Sequence, residues 1–132
     1  MTLYLLDTDM SSYLLKGQRK VAPPIFHRGD SIGISSITVM ELQYGVALAG
    51  VATDLLSRVT LFLDQIESFS FDDNAAGSAA RVRGHLRSIG KPSGTYDILI
   101  AGHALALGAT LVTNNTKHFE NIPGLTLQNW AN

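Results

Sequence analysis

Three acids stand in apolar surroundings, and any chemistry of this chain is expected from them. Asp7 ends the run Leu3-Tyr4-Leu5-Leu6-Asp7-Thr8-Asp9, Glu41 sits inside Ile37-Thr-Val-Met-Glu-Leu-Gln-Tyr-Gly45, and Asp97 sits inside Gly94-Thr-Tyr-Asp-Ile-Leu-Ile-Ala-Gly-His-Ala104. Asp7 has an ordinary alternative as a helix cap, and Asp97 as an acid in a first helical turn, where the helix dipole favours it. Glu41 is harder to place, because a carboxylate on an apolar helical face costs on the order of several kcal/mol unless a cation or donor meets it. No basic residue lies on a comparably apolar face, so a bound cation is the simplest partner. Oxygen donors without a thiolate or a spaced histidine pair favour a hard ion, Mg²⁺ or Mn²⁺, over zinc. Such an ion keeps waters and is completed by phosphates, which implies cleavage of a phosphodiester or phosphate ester by a metal-activated water. His27, His85, His103 and His118 have no ligand spacing and are expected on the surface or hydrogen-bonded in the core.

The elements that must position these acids follow from the pattern. An apolar run that stops on a carboxylate and leads straight into a helix reads as a buried parallel strand carrying Asp7 at its C-terminal end, the edge where open α/β sheets hold ligands. Thr8 is expected to cap a helix from Asp9 to Lys16 closed by Gly17, and Val21 to Arg28 to form a short helix begun by the proline pair. Ser31 to Ser35 reads as a strand. Ser36 then caps a helix in which Ile37, Glu41, Tyr44 and Leu48 share one face, so that Glu41 points where core residues point, while Val39, Leu42 and Val46 opposite make the helix apolar nearly all round and are expected to form a second surface for a partner. The stripe Leu55, Leu56, Val59, Phe62, Leu63, Ile66 makes Thr53 to Glu67 an amphipathic helix.

Phe69 to Phe71 alternates like a short strand, and Asp72 or Asp73 caps a helix from Asn74 to Ile89 that ends on Gly90. Arg81, Arg83, Arg87 and Lys91 form a basic run leading into the loop that delivers Asp97, and they are candidates for holding nucleic-acid phosphates. Thr95 begins a helix from Tyr96 to Leu107, whose Ala and Gly content suits close packing against a sheet. Thr110 to Thr113 is a buried strand, Asn114 to Phe119 a turn or short helix, and Leu125 to Leu127 a final strand. Strands alternating with helices predict an α/β fold, a parallel sheet covered on both faces in three α/β/α layers. Asp7, Glu41 and Asp97 are expected to meet at the edge of its first strand.

Composition sets the frame. A length of 132 residues at 45% hydrophobic content suits one domain, residues 1–132, without linker or repeat. A net charge of -1 argues against gripping nucleic acid through global charge and leaves local patches open. The absence of cysteine excludes disulfides and thiolate metal sites. The N-terminal apolar run is too short for a membrane span and lacks a basic flank, so a cytoplasmic location is expected.

With Val112-Thr-Asn-Asn-Thr-Lys-His-Phe119 and Pro123-Gly-Leu125 added to the three acidic segments and Ile34-Ser-Ser36 before the second, four motifs in order resemble the PIN-domain ribonucleases, and within them the VapC-type toxins of bacterial toxin–antitoxin pairs. The resemblance runs from end to end. It implies a PIN-like parallel sheet flanked by helices and RNA cleavage with Mg²⁺ or Mn²⁺. It also implies a homodimer, a cognate antitoxin encoded beside it, and contact with DNA only through that antitoxin. Asp7, Glu41 and Asp97 fall on the family's acidic positions, with Asp7 and Asp97 expected to hold the ion and Glu41 to hold it or orient the water. Position 9, usually Asn in the family, is Asp here, while Asn115 and His118 stand where acids are common. Asn115 is kept as a catalytic candidate that offers a carbonyl or holds a metal-bound water, and Glu120 is expected to be a solvated acid, rotated away by helical spacing. One firmly held ion is expected, and a second only with RNA phosphate.

Two other classes are possible from the residues alone. Asp7-Thr8-Asp9 after an apolar strand also resembles the nucleophile and general acid of haloacid-dehalogenase-type phosphatases, although Asn114-Asn115 stands where their late acidic pair would. A non-catalytic domain that binds protein or RNA would have no need of all three acids.

Overall fold

The apolar run Leu3–Leu6 forms β1, the middle strand of a five-stranded parallel sheet, in the computed structural model, which describes residues 1–17, 19–50 and 54–131. The elements that follow are α1 (Thr8–Lys16), β2 (Ser31–Ser35), α2 (Ser36–Ala49), α3 (Leu55–Gln65), β3 (Glu67–Phe69), α4 (Asp73–Ser88), α5 (Thr95–Leu107), β4 (Thr110–Val112), α6 (Thr116–Phe119) and β5 (Thr126–Gln128). The strand order is β3-β2-β1-β4-β5, with every neighbouring pair parallel. The chain builds outward from β1 to β3, then crosses back and builds β4 and β5 on the other side. The order therefore reverses at β1 and β4, which opens a crevice at their C-terminal ends.

Alternation along β1 divides the core between the two faces of the sheet. Leu5 and its register partner Leu111 join Val82, Leu86, Ile100, Ala104, Phe119 and Ile122, the layer of α4, α5 and α6. Tyr4 and Leu6, with Ile34, Val112, Met10 and Trp130, pack on the opposite layer, where Tyr13 of α1 and Phe62 and Leu63 of α3 close it. The three-layer α/β/α expectation is met. Gly102 of α5 has a specific reason to lack a side chain, since a Cβ there would collide with the backbone of Ala79. The small residues of α5 thus admit α4 as a close neighbour, where the sequence suggested the sheet.

Several local expectations need correction. The cap of α1 is Asp7, whose Oδ1 accepts from the Met10 amide at 2.8 Å, so Thr8 is freed for another task. Ser35 caps α2, and Ser36 Oγ instead accepts from the Phe71 amide, which pulls Phe71 out of the sheet and leaves β3 at Glu67–Phe69. Val21 to Arg28 is not helical, because Ala22 and Pro23 each precede a proline and are driven to extended backbone. Val21 instead bridges Ala131, the Ala22 amide donates to the Trp130 carbonyl at 2.7 Å, and the Phe26 ring packs on Tyr4 and Trp130. The expected start of α3 at Thr53 lies outside the described residues.

The face of α2 that carries Glu41 also differs from expectation. Tyr44 and Leu48 are 60% and 70% exposed, while Thr38 and Leu42 are buried, so Leu42 belongs to the core side and not to a free surface. A helix apolar nearly all round offers no stripe from which to choose the inward face.

Candidate active site

The backbone of Asp7 continues β1 by donating its amide to the Val112 carbonyl at 3.0 Å, which fixes the residue at the mouth of the crevice. The residue is 4% exposed. Burial pushes its pKa up to about 6 against the stabilising hydrogen bonds from the Thr113 hydroxyl and the Met10 amide, and the charges of Asp9 and Asp97 push in the same direction as burial. An acid held in this way repels its neighbours and attracts a cation.

Glu41, on the second turn of α2, is placed by a hydroxyl relay. Thr8 Oγ1 donates to Glu41 Oε1 at 2.6 Å and also lies 3.1 Å from Thr38 Oγ1. Because the single Thr8 proton is taken by the carboxylate, Thr38 is the donor of the second contact. Oε1 is thereby engaged, and Oε2 stays available. Burial raises the pKa of Glu41, with Asp97 and Asp9 adding to it and the Thr8 bond opposing. Asp97 lies in the first turn of α5, and its pKa too is raised chiefly by burial and secondarily by Asp9, while His118 lowers it.

The short helix α6 reaches the same edge twice. Asn115 Nδ2 donates to Asp9 Oδ2 at 3.2 Å, and His118 Nδ1 lies 3.6 Å from Asp97 Oδ2. The helical turn that the sequence suggested is present, with the His118 amide donating to the Asn115 carbonyl at 3.0 Å, and Glu120 is exposed beyond it. The structure thus brings Asp7, Asp9, Glu41, Asp97 and Asn115 to one sheet edge. Thr8, Thr38 and Thr113 are the additions that sequence reasoning missed. Thr8 lies between the two acids of the first motif and Thr113 is the second residue of the last, but nothing in the local sequence assigns either hydroxyl its partner.

A hard divalent cation suits this donor set. The carboxylates of Asp7, Glu41 and Asp97 gather at a sheet edge with raised pKa values, and among the described residues the one basic side chain within 4.0 Å of them is His118, at 3.6 Å from Asp97. No three His, Cys, Asp or Glu side chains among the described residues stand near enough to form a closed ligand cage. An ion that retains several waters and binds through one or two carboxylates tolerates that spacing, whereas a zinc-type cage does not.

The basic run does not form one surface. Arg81 lines a cavity with His85 and Ile122, Arg83 and Arg87 line another of about 620 Å³, and Lys91 lines a third of about 400 Å³ with Lys117 and His118. His103 is buried with Nδ1 2.8 Å from Ser35 Oγ and its ring edge-on to Phe71, a core histidine as expected. No helix among the described residues is long and apolar enough to cross a membrane.

The PIN domain family model matches residues 4–125. The chain is 36% identical to the tRNA(fMet)-specific endonuclease VapC of Salmonella typhimurium, over 99% of this chain and 100% of that protein. It is also 36% identical to ribonuclease VapC2 of Rickettsia felis, over 97% and 98% of the two chains. The crystal structure of VapBC2 from Rickettsia felis bound to a DNA fragment from their promoter contains a chain that superposes with a TM-score of 0.86 at 34% identity, covering 98% of this chain and 99% of that one.

Proposed function

Since the chain belongs to the PIN-domain family and, within it, to the VapC ribonucleases, we propose that it is the toxin nuclease of a toxin–antitoxin pair, one domain over residues 1–132 that cuts structured RNA with Mg²⁺ or Mn²⁺. The family match replaces the phosphatase reading of Asp7 and Asp9. The observation that carries the site assignment is the convergence of acids at the β1–β4 crevice, their pKa values raised chiefly by burial and further by neighbouring acids, an arrangement that a cation would relieve. Divalent-metal dependence is general among PIN-domain nucleases.

Asp7 and Asp97 are the residues proposed to hold the ion, with Glu41 beside them. A bound divalent cation supplies Lewis acidity at the scissile phosphate and lowers the pKa of attacking water. The chain's own work is positional. Met10 and Thr113 fix the Asp7 carboxylate, so its oxygens do not reorganise when the ion arrives. Thr38 and Thr8 hold Glu41 by one oxygen and leave the other to accept a proton from the attacking water, a task suited to a carboxylate whose pKa is raised. Asn115 steadies Asp9, and His118 steadies Asp97. Attack in line with the leaving oxygen gives a 5′-phosphate and a 3′-hydroxyl.

The substrate class proposed is transfer RNA, from the specificity of the Salmonella typhimurium relative. The antitoxin is proposed to cover the exposed apolar side chains Met40, Tyr44 and Leu48 of α2, with Leu56 and Leu61 of the adjoining α3, and to make any DNA contact. The test is a cleavage assay on a tRNA transcript with antitoxin-free protein and Mg²⁺, with the product ends identified by kinase and ligase treatment. Products with 5′-phosphate ends that vanish in EDTA are expected. Intact RNA at every metal concentration would refute the proposal.

A further inference from the structure

His118 stands between two regions of opposite character. On one side its Nδ1 meets Asp97. On the other its ring helps to wall a cavity of about 400 Å³ between the end of α4, the loop 89–94 and α6. Lys91 and Lys117 enter that cavity from different elements, Leu86 and Pro92 give it an apolar side, and among the described residues no carboxylate lines it. The His85 ring holds the outer wall through the Asn121 carbonyl at 3.1 Å. A larger cavity of about 620 Å³ adjoins it across Pro92 and Ser93 and carries Arg83 and Arg87.

Resting on the ribonuclease reading, we propose that the cavity of Lys91, Lys117 and His118 is a nucleotide subsite that holds the residue of the RNA next to the bond being cut, with its phosphate between the two lysines and its sugar or base against Leu86 and Pro92. Its volume lies within the range of small-ligand sites, roughly 300–1,000 Å³. Two cations from separate elements converging on a concavity differ from the solvated charges of one helix face. An acidic centre repels a polyanion, and cations in a cavity that shares His118 with it supply the attraction that the centre lacks. From this subsite the strand continues over Pro92 and Ser93 to Arg83 and Arg87. Arg81, in a different cavity, lies off that path.

The experiment uses the full chain, a tRNA transcript, and the variants Lys117→Gln, Lys91→Gln with Lys117→Gln, and Arg81→Gln. All three positions lie outside the core, and thermal melting confirms folding. Binding is read in EDTA by fluorescence anisotropy across a salt series, and cleavage is read in Mg²⁺. The double variant is expected to raise KM about tenfold with kcat within about twofold, and to reduce the slope of log affinity against log salt by about 1, as loss of one phosphate contact requires. Arg81→Gln is expected to follow the wild type in both readouts. An unchanged KM and salt slope in the double variant, with the wild type still cutting, would overturn the subsite while leaving the ribonuclease reading intact. A wild type that binds with the expected salt dependence and does not cut would refute the ribonuclease reading and leave the binding arm to decide the subsite.

Discussion

Asp9 and Asn115, 106 positions apart in the chain, meet at the sheet edge with Nδ2 of Asn115 donating to Oδ2 of Asp9 at 3.2 Å. The sequence pattern suggested that Asn115 leaves the site one charge short. The contact shows a carboxylate beside it, contributed by the first turn of α1. Asn115→Asp would therefore set two carboxylates at hydrogen-bond distance without a proton between them. In EDTA at pH 7 this variant is expected to melt a few degrees below the wild type, and Asp9→Asn combined with Asn115→Asp is expected to recover the loss, because like-charge repulsion is removed. Equal melting temperatures for the single variant and the wild type would show that the contact carries no weight.

Burial of Asp7 gives the metal-free protein a pH dependence of known sign. The folded-state pKa of about 6 lies above the unfolded value, so the folded state binds more protons than the unfolded state in between. Stability from this group is complete below about pH 4, falls as pH rises, and is lost above about pH 6, by about 3 kcal/mol in total. Glu41 and Asp97, also raised, act in the same direction. Asp7→Asn is thus expected to be more stable than the wild type at pH 7 in EDTA by between about 1 and 3 kcal/mol and equal to it near pH 4. Urea denaturation at the two pH values measures this, and a variant less stable at pH 7 would contradict it.

The Thr8 hydroxyl is the connection between Glu41 and the fold. Thr8→Val keeps the shape and removes the donor, and it is expected to lower kcat between about 10- and 100-fold, the usual loss for a residue that orients a ligand or base. Thr8→Ser should retain most of the activity. A Thr8→Val enzyme with wild-type kcat would remove the relay from the mechanism.

Much of this was legible before any coordinates, for identifiable reasons. Asp7 could be placed because an apolar run that halts on a carboxylate has few other meanings, and parallel strands buried on both faces leave strong signals. The side of α2 was not legible, because its apolar residues leave no polar face to mark solvent, and Leu42 and Tyr44 exchanged the roles expected of them. The division of the basic run could have been seen in advance, since Arg81 and Arg83 are two residues apart on a helix and point nearly opposite ways. The Thr8 relay depends on a contact across 33 positions and on which residue caps α1, and local sequence specifies neither.

The exposed side chains of α2 carry a prediction about the partner. Leu48→Asp, at a position 70% exposed, is expected to leave the melting temperature within a few degrees of the wild type and to abolish co-purification with the antitoxin, whereas Leu42→Asp, buried at 6% exposure, is expected to unfold the chain. Intact antitoxin binding by a folded Leu48→Asp protein would move the interface elsewhere.

The claim on which the account depends is that Asp7, Glu41 and Asp97 together serve one divalent cation needed for cutting. Its most direct test is a Mg²⁺ titration of tRNA cleavage by the wild type and by Asp7→Asn, Glu41→Gln and Asp97→Asn, with Mn²⁺ binding to the same proteins followed by calorimetry without RNA. Loss of cutting by at least about 100-fold in each variant is predicted, together with Mn²⁺ binding that is weakened at least tenfold in Asp7→Asn and Asp97→Asn. Cutting by either of those two at the wild-type rate and the wild-type Mg²⁺ requirement would contradict it.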